Sequence, residues 1–367
     1  MTRTASSSGS AFARGGAIVS TLGLVGFSLV AASAASAATA ADCTALNTVT
    51  APQPASDIQV LLDDVTVPVV CIDGTFVLAG TLTVPRSLAL VGLNGAVLDG
   101  DNAHRIIGTA GGAVFSVDGV TFVDGNAGTG LGGAIHANAA LTITNSVFEG
   151  NSAVEGGGAI VARQTLTVDR STFRSNAGGI GGAIWAYTAS NVVDSTFVDN
   201  TATSSGGALV ANGNTTVTNS TFVSNTTGGA GGAINFVLAA TVVQSTFVNN
   251  SAGNGQSLNV LNSRPASIRG SVFATGTALR QLSGYTVTDN GGNVFTTSAA
   301  AETSLPAPAA SSLFEHTIPQ IFGANVLADN GGPTPTIALP AASVAIDVVP
   351  EGLPEVSRDQ RGEPRSV

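Results

Sequence analysis

The sequence predicts an all-β fold: a single-stranded, right-handed parallel β-helix with a helical cap at its N-terminal end. Three columns of recurring residues predict it. A Gly-Gly-Ala-aliphatic tetrad starts at Gly132, Gly157, Gly181, Gly206 and Gly231, in steps of 25, 24, 25 and 25 residues. A phenylalanine recurs at Phe122, Phe148, Phe173, Phe197, Phe222, Phe247 and Phe273. Five residues before each lies Val117, Ile143, Val168, Val192, Val217, Val242 or Ile268. A unit this short, rich in Val, Thr and Phe and broken by Gly, Asn and Ser, forms short strands joined by tight turns. One unit cannot bury its own apolar face, whereas units stacked in register bury all of them in one core. Parallel crossovers are almost always right-handed, which sets the expected hand. Stacking at ~4.8 Å per coil gives roughly nine coils and a solenoid ~45 Å long.

The segments follow in order. Residues 1–37 carry Arg3 and Arg14, an apolar run from Ala17 to Val30, and the small-residue site Ala35-Ser36-Ala37. This is the pattern of a secretory signal peptide, too short in its apolar part for a membrane span of ~20 residues. Ala38-Thr39-Ala40 is a second candidate cleavage site. Residues 38–100 are expected to hold the N-terminal cap and first coils. Ser56 reads as an N-cap, and Ile58, Leu61, Leu62 and Val65 follow at helical spacing. Cys43 and Cys71 are the only cysteines. In an exported chain they are expected to form one disulfide, with two buried thiols as the alternative. Residues 101–298 are the repeat β-helix. Residues 299–367 begin with an Ala/Ser/Pro-rich connection at 299–312 and are expected to fold back as a C-terminal cap.

The polar columns read as structural. Asn151, Asn176, Asn200, Asn225 and Asn250 each lie three residues after a column phenylalanine. Asparagine tolerates the left-handed region, and its amide can bond to the amide one coil above. Ser146, Ser171, Ser195, Ser220, Ser245 and Ser271 are equally periodic, so none is a candidate nucleophile.

The copies GGAIHANAALTITNSVFEGN (132–151) and GGALVANGNTTVTNSTFVSN (206–225) resemble the GGAI and FxxN repeats of polymorphic outer membrane proteins. They are equally similar to secreted bacterial right-handed β-helix proteins at large. NGGPTPTIALPAASVAID (330–347) with DQRGEPR (359–365) resembles the choice-of-anchor Q family. These resemblances imply a β-helix at the cell surface or released from it, with simple secretion the default expectation. Two departures bear on anchoring: no stretch after the repeats is long enough for a transporter barrel, and no apolar sorting tail precedes Val367.

Composition narrows the function. All 13 basic residues are arginine, against 23 acidic residues. After loss of the signal the net charge is −12, which argues against nucleic acid and anionic membranes as partners. No cofactor or metal site is expected, and no transmembrane segment after signal removal. Parallel β-helices also host pectate lyases and polygalacturonases, whose chemistry needs a base with clustered carboxylates, or two or three carboxylates within ~5–10 Å. Asp99 and Asp101 form a loose pair, while Asp169 with Asp194, and Asp124 with Asp199, are spread over separate coils. No catalytic residue is assigned on this basis.

Departure from the repeat marks one place. Alternation turns Ile135 inward, so His136 and Asn138 face out. The matching pairs are Val161 with Arg163, Trp185 with Tyr187, and Val210 with Asn212. His136, Arg163, Trp185 and Tyr187 thus form a candidate surface-binding patch, suited to stacking on a sugar ring or contacting a protein. Polysaccharide or a host or cell-surface protein is the expected partner. A carbohydrate-active enzyme on the same fold is the alternative, and burial of the rings under a neighbouring loop is the purely structural one.

Overall fold

In the computed structural model, which describes residues 38–275, 281–346, 348 and 357–364, the chain winds into a parallel β-solenoid of about ten turns. The expected signal peptide lies outside the described residues. Each repeat coil passes through three faces. A double face of 19 strands takes two strands per coil, such as Leu166–Asp169 and Thr172–Arg174. A nine-stranded face takes one, such as Ile184–Ala186. A four-stranded face is confined to the central coils, from Ser152–Ala153 to Thr226–Thr227. Strands of successive coils pair parallel and in register, so like residues lie above one another.

The columns fill the core as their spacing requires. Val117, Ile143, Val168, Val192, Val217, Val242 and Ile268 are all buried and directly paired. From Phe122 onward the rings stack 4.6 to 5.0 Å apart. Two members escape the repeat. Phe295 and Phe314 continue the stack beyond Phe273 at shortened spacings. At the other end Phe76 and Leu98 occupy the same column. These additions take the solenoid past the nine coils expected.

Local chemistry sets the corners. Gly181 has φ +72°, and a Cβ there would fall 2.0 Å from the carbonyl oxygen of Ile184. On its neighbour Gly182 a Cβ would fall 2.0 Å from the Gly207 carbonyl oxygen in the next coil. Only glycine fits either place. The asparagine column forms a buried amide ladder, yet its members do not take the left-handed conformation. That conformation belongs to the residue before each: Gly150, Ser175, Asp199, Ser224 and Asn249. The serines form a second ladder, in which Ser171 Oγ accepts from Ser146 N and donates to the Asp169 carbonyl.

Near the N-terminus a helix spans Ser56–Asp63, packing against Val69–Val77 and Leu82–Val84. Ser56 is its first residue; Ala55 holds the N-cap position without a side-chain bond. Ile58 and Leu62 are buried in the core cluster, whereas Val65 lies beyond the helix and is exposed. Cys43 and Cys71 are joined by a disulfide that ties the segment before the first coil to the strand Val69–Val77.

The C-terminal end of the solenoid is covered by residues 297–314. Leu305 enters the core, and Phe314 lies on Phe295. In regular coils a pair of amides shares one carbonyl of the next coil; Ser257 N and Leu258 N both donate to the Gln281 carbonyl. Beyond the strand Leu282–Gly284 of the nine-stranded face, the carboxylate of buried Glu302 takes that role. It accepts from Gln281 N at 2.8 Å, Leu282 N at 2.9 Å and Thr297 Oγ1 at 2.6 Å. A side chain thus satisfies an edge that would otherwise be a template for strand addition. Glu302→Ala is expected to destabilise by about 2 kcal/mol, because two amides lose their acceptor and water reaches only part of the gap. Hydrogen exchange at Gln281 and Leu282 should accelerate before the central coils respond. Glu155→Ala, at an exposed glutamate, should stay within ~0.5 kcal/mol of the parent.

The chain then returns along the outside of the double face. Ile321 and Phe322, in the short helix Ile318–Phe322, pack on Val248, Ala274 and Val294. Gln360 bonds to Thr196, Thr221 and Thr334.

Candidate functional site

The four singled-out residues lie on the nine-stranded face. In the strands Ile135–Ala137, Ile160–Ala162 and Ile184–Ala186 the flanking Ile and Ala side chains point into the core, fully or almost fully buried. The middle residues His136, Val161 and Trp185 are aligned in register and point the other way. Arg163 and Tyr187 directly follow their strands and keep the same register. Arg163 N donates to the Ala137 carbonyl and Tyr187 N to the Ala162 carbonyl, both at 2.9 Å.

The side chains converge. Arg163 Nε donates to His136 Nε2 over 3.4 Å. The same guanidinium lies over the Tyr187 ring, with its carbon 4.5 Å from the centroid. The Trp185 and Tyr187 centroids are 4.4 Å apart, with the rings tilted by 33°. All four side chains are half-buried. Val161 and Val210, in the same outward column, are buried outright; their Cγ2 atoms lie against the corners at Gly156 and Gly206. The column is therefore sunk beside the glycine corners rather than standing free on a flat face. Asn138 is spent on structure, since its backbone and side-chain nitrogens both bond to Thr109.

Sequence periodicity missed one member. Arg105 precedes the first regular repeat and has no counterpart in later coils. Its Nε donates to the carbonyls of Leu131 and Gly132 at 3.0 and 3.1 Å. Burial, with the charges of Arg105 and Arg163, pushes the His136 pKa down from 6.5 to about 4. Burial also raises the Tyr187 hydroxyl, with Arg163 opposing it. The Trp185 indole nitrogen is buried and has no hydrogen-bond partner.

Two other places gather ionisable groups or form a cleft. Asp124 has its pKa raised, first by burial and then by the charges of Asp99, Glu149 and Asp101. The sequence pairing of Asp124 with Asp199 missed this grouping. Asp169 is likewise raised by burial, and Asp194 on the next coil adds to it against Arg170, so membership of separate coils does not keep carboxylates apart. Glu149 is ion-paired with Arg174. Among the described residues no group of three or more His, Cys, Asp or Glu is placed to hold a metal ion. A cleft of about 290 Å³ lies between the returning tail and the double face, lined by Asn219, Gln244, Thr246, Phe322 and Leu339. Its charged residues Asp359 and Arg361 neutralise each other.

Comparison with known proteins adds a family signal for the repeats. The Chlamydia polymorphic membrane protein repeat matches residues 145–163 and 194–212. Each stretch runs from the left-handed corner before the serine ladder, through the column phenylalanine and asparagine, to the nine-stranded face. The second contains Trp185's paired neighbour Val210, and the first ends on Arg163. The chain is a parallel β-helix carrying repeats of this kind. No curated protein and no solved structure gives a significant match. No helix among the described residues is long and apolar enough to cross a membrane.

Proposed function

We propose that this protein is a secreted or cell-surface β-helix scaffold that binds a glycan, without enzymatic turnover, through His136, Arg163, Trp185 and Tyr187. Repeats similar to those of a polymorphic membrane protein support a surface role. The tail resembling the choice-of-anchor Q family fits the same setting. The observation that carries the binding reading is the Arg163–Tyr187–Trp185 cluster, with separations of 4.5 and 4.4 Å. Such large side chains depart from the repeat and add nothing to a core already filled by the Phe and Val columns. Rings held by a neighbouring guanidinium offer a rigid stacking surface at low entropic cost.

A glycan array run on the full chain is expected to identify a bound saccharide. The double change Trp185→Ala and Tyr187→Ala should then weaken binding at least tenfold, about 1.4 kcal/mol. The melting temperature should fall little, since both rings lie outside the core. Unchanged affinity would move the site elsewhere, and a large loss of stability would show that the rings serve packing. The Asp99, Asp101, Asp124 and Glu149 grouping favours the second reading, a carbohydrate-active enzyme. Release of reducing ends or unsaturated products from the same polysaccharides, abolished by Asp124→Asn, would establish it.

A further inference from the structure

We propose that Arg105 and Arg163 together form an anion-binding site beside His136, and that it receives the carboxylate of an acidic sugar whose ring rests on Trp185 and Tyr187. This rests on the reading of that face as a glycan site, and it names the class of glycan.

Charge is the first ground. The chain carries 23 acidic against 13 basic residues, so its arginines have abundant carboxylates to pair with. Arg170, Arg174 and Arg361 do so, with Asp169, Glu149 and Asp359. Among the described residues Arg105 and Arg163 form no ion pair, nor do Arg86 and Arg264, and the only side-chain hydrogen bonds of Arg105 and Arg163 leave from Nε. Both are close enough to the same imidazole to disfavour its protonation. Two half-buried cations beside one imidazole repel each other, and an external anion would offset that repulsion.

Hydrogen-bonding capacity is the second. The terminal nitrogens of Arg105 and Arg163 are donors only. His136 accepts from Arg163 at Nε2, which assigns the ring proton to Nδ1. Its depressed pKa keeps the ring in this neutral form across the neutral range. Beyond the Leu131 and Gly132 carbonyls that Arg105 Nε takes, no oxygen accepts from these two guanidinium groups, so their terminal nitrogens call for a ligand rich in acceptors. A planar carboxylate matches the guanidinium fork. The ring pair directly beyond Arg163 then accounts for the sugar to which the carboxylate is attached.

Titration calorimetry of the full chain tests this with three probes: an oligogalacturonate, the same oligosaccharide with its carboxyl groups reduced to alcohols, and a sulfated neutral oligosaccharide. The acidic probe is expected to bind at least tenfold more tightly than the reduced one. Arg163→Gln should remove most of that difference, weakening the acidic probe more than the reduced one. Arg105→Gln should do the same; should loss of its bonds to Leu131 and Gly132 unfold the chain, Arg163→Gln alone decides. Arg163→Lys should restore only part of the preference, since it keeps the charge and loses the fork. Equal binding of acidic and reduced probes, with no effect of either arginine change, would overturn the anion site and leave the glycan reading standing. Sulfated and acidic probes binding equally would overturn the assignment to a carboxylate. Absence of binding by every probe, with an array also blank, would overturn both readings together.

Discussion

Phe197→Ala is expected to cost about 3–5 kcal/mol in denaturant unfolding, while Val198→Ala, one residue on, costs under about 1 kcal/mol. Phe197 is fully buried between Phe173 at 4.8 Å and Phe222 at 4.7 Å. Its removal leaves a ring-sized void, and the register of the strands above and below prevents the neighbours from closing it. Hydrogen bonds from Thr196–Val198 to both adjacent coils hold the backbone at its spacing whatever the side chain. Two ring contacts are lost as well, each worth about 0.5–1.5 kcal/mol beyond burial. Phe314→Ala should cost less, because that ring is half-buried and stacks on Phe295 alone. Equal losses at residues 197 and 198 would mean that the inward and outward assignments are wrong.

Most of the scaffold was legible because a solenoid writes its geometry into the sequence period. A column residue sees the same neighbours in each coil, so the same physical demand selects the same residue type at a constant interval. Legibility fails where the interval does. Phe295 and Phe314 follow at 22 and 19 residues because the last coils are shorter, and a search for a step of 25 passes over them. Glu302 was lost inside an Ala/Ser/Pro-rich stretch that reads as a loose connection. Its role exists only because the strand Leu282–Gly284 has no further coil to bond to. The candidate site was legible for the same reason in reverse. His136, Arg163, Trp185 and Tyr187 stand out as breaks in the repeat, and strand alternation places them on one side. Arg105 stands before the repeat and cannot break it, so only the folded arrangement brings it to His136. The left-handed corners lie one residue before the column asparagines. Asparagine suits both that conformation and a ladder, and composition cannot separate the two uses.

Asn200→Ala is expected to destabilise by about 3–5 kcal/mol, an effect on the scale of the phenylalanine change though it removes a small polar group. The side chain is fully buried. Nδ2 donates to the Phe173 carbonyl at 3.0 Å and to Asn225 Oδ1 at 2.9 Å; Oδ1 accepts from Asn176 N at 3.1 Å and Asn176 Nδ2 at 2.9 Å. Alanine takes the acceptor from Asn176 N and from one Nδ2 hydrogen of Asn176, whose other stays on the Phe148 carbonyl, and takes a donor from the Phe173 carbonyl, at about 1–3 kcal/mol for each group orphaned in a dry interior. Asn200→Asp gives a sharper test. It keeps an oxygen for Asn176 but turns a second oxygen toward the Phe173 carbonyl and Asn225 Oδ1, both acceptors. Burial and this clash of acceptors raise the folded-state pKa of the new carboxyl above its unfolded value near 3.9. The unfolded chain therefore releases the proton first as pH rises. The variant should be closest to the parent in stability below about pH 3.9 and fall progressively behind as pH climbs through the raised folded value. Parent and variant melted in parallel from pH 3 to 8 isolate this one group, since every other titration is common to both. A stability difference that stays constant across that range would mean that the ladder is wet and the amide column is not the buried, fully bonded network that sets the coil register.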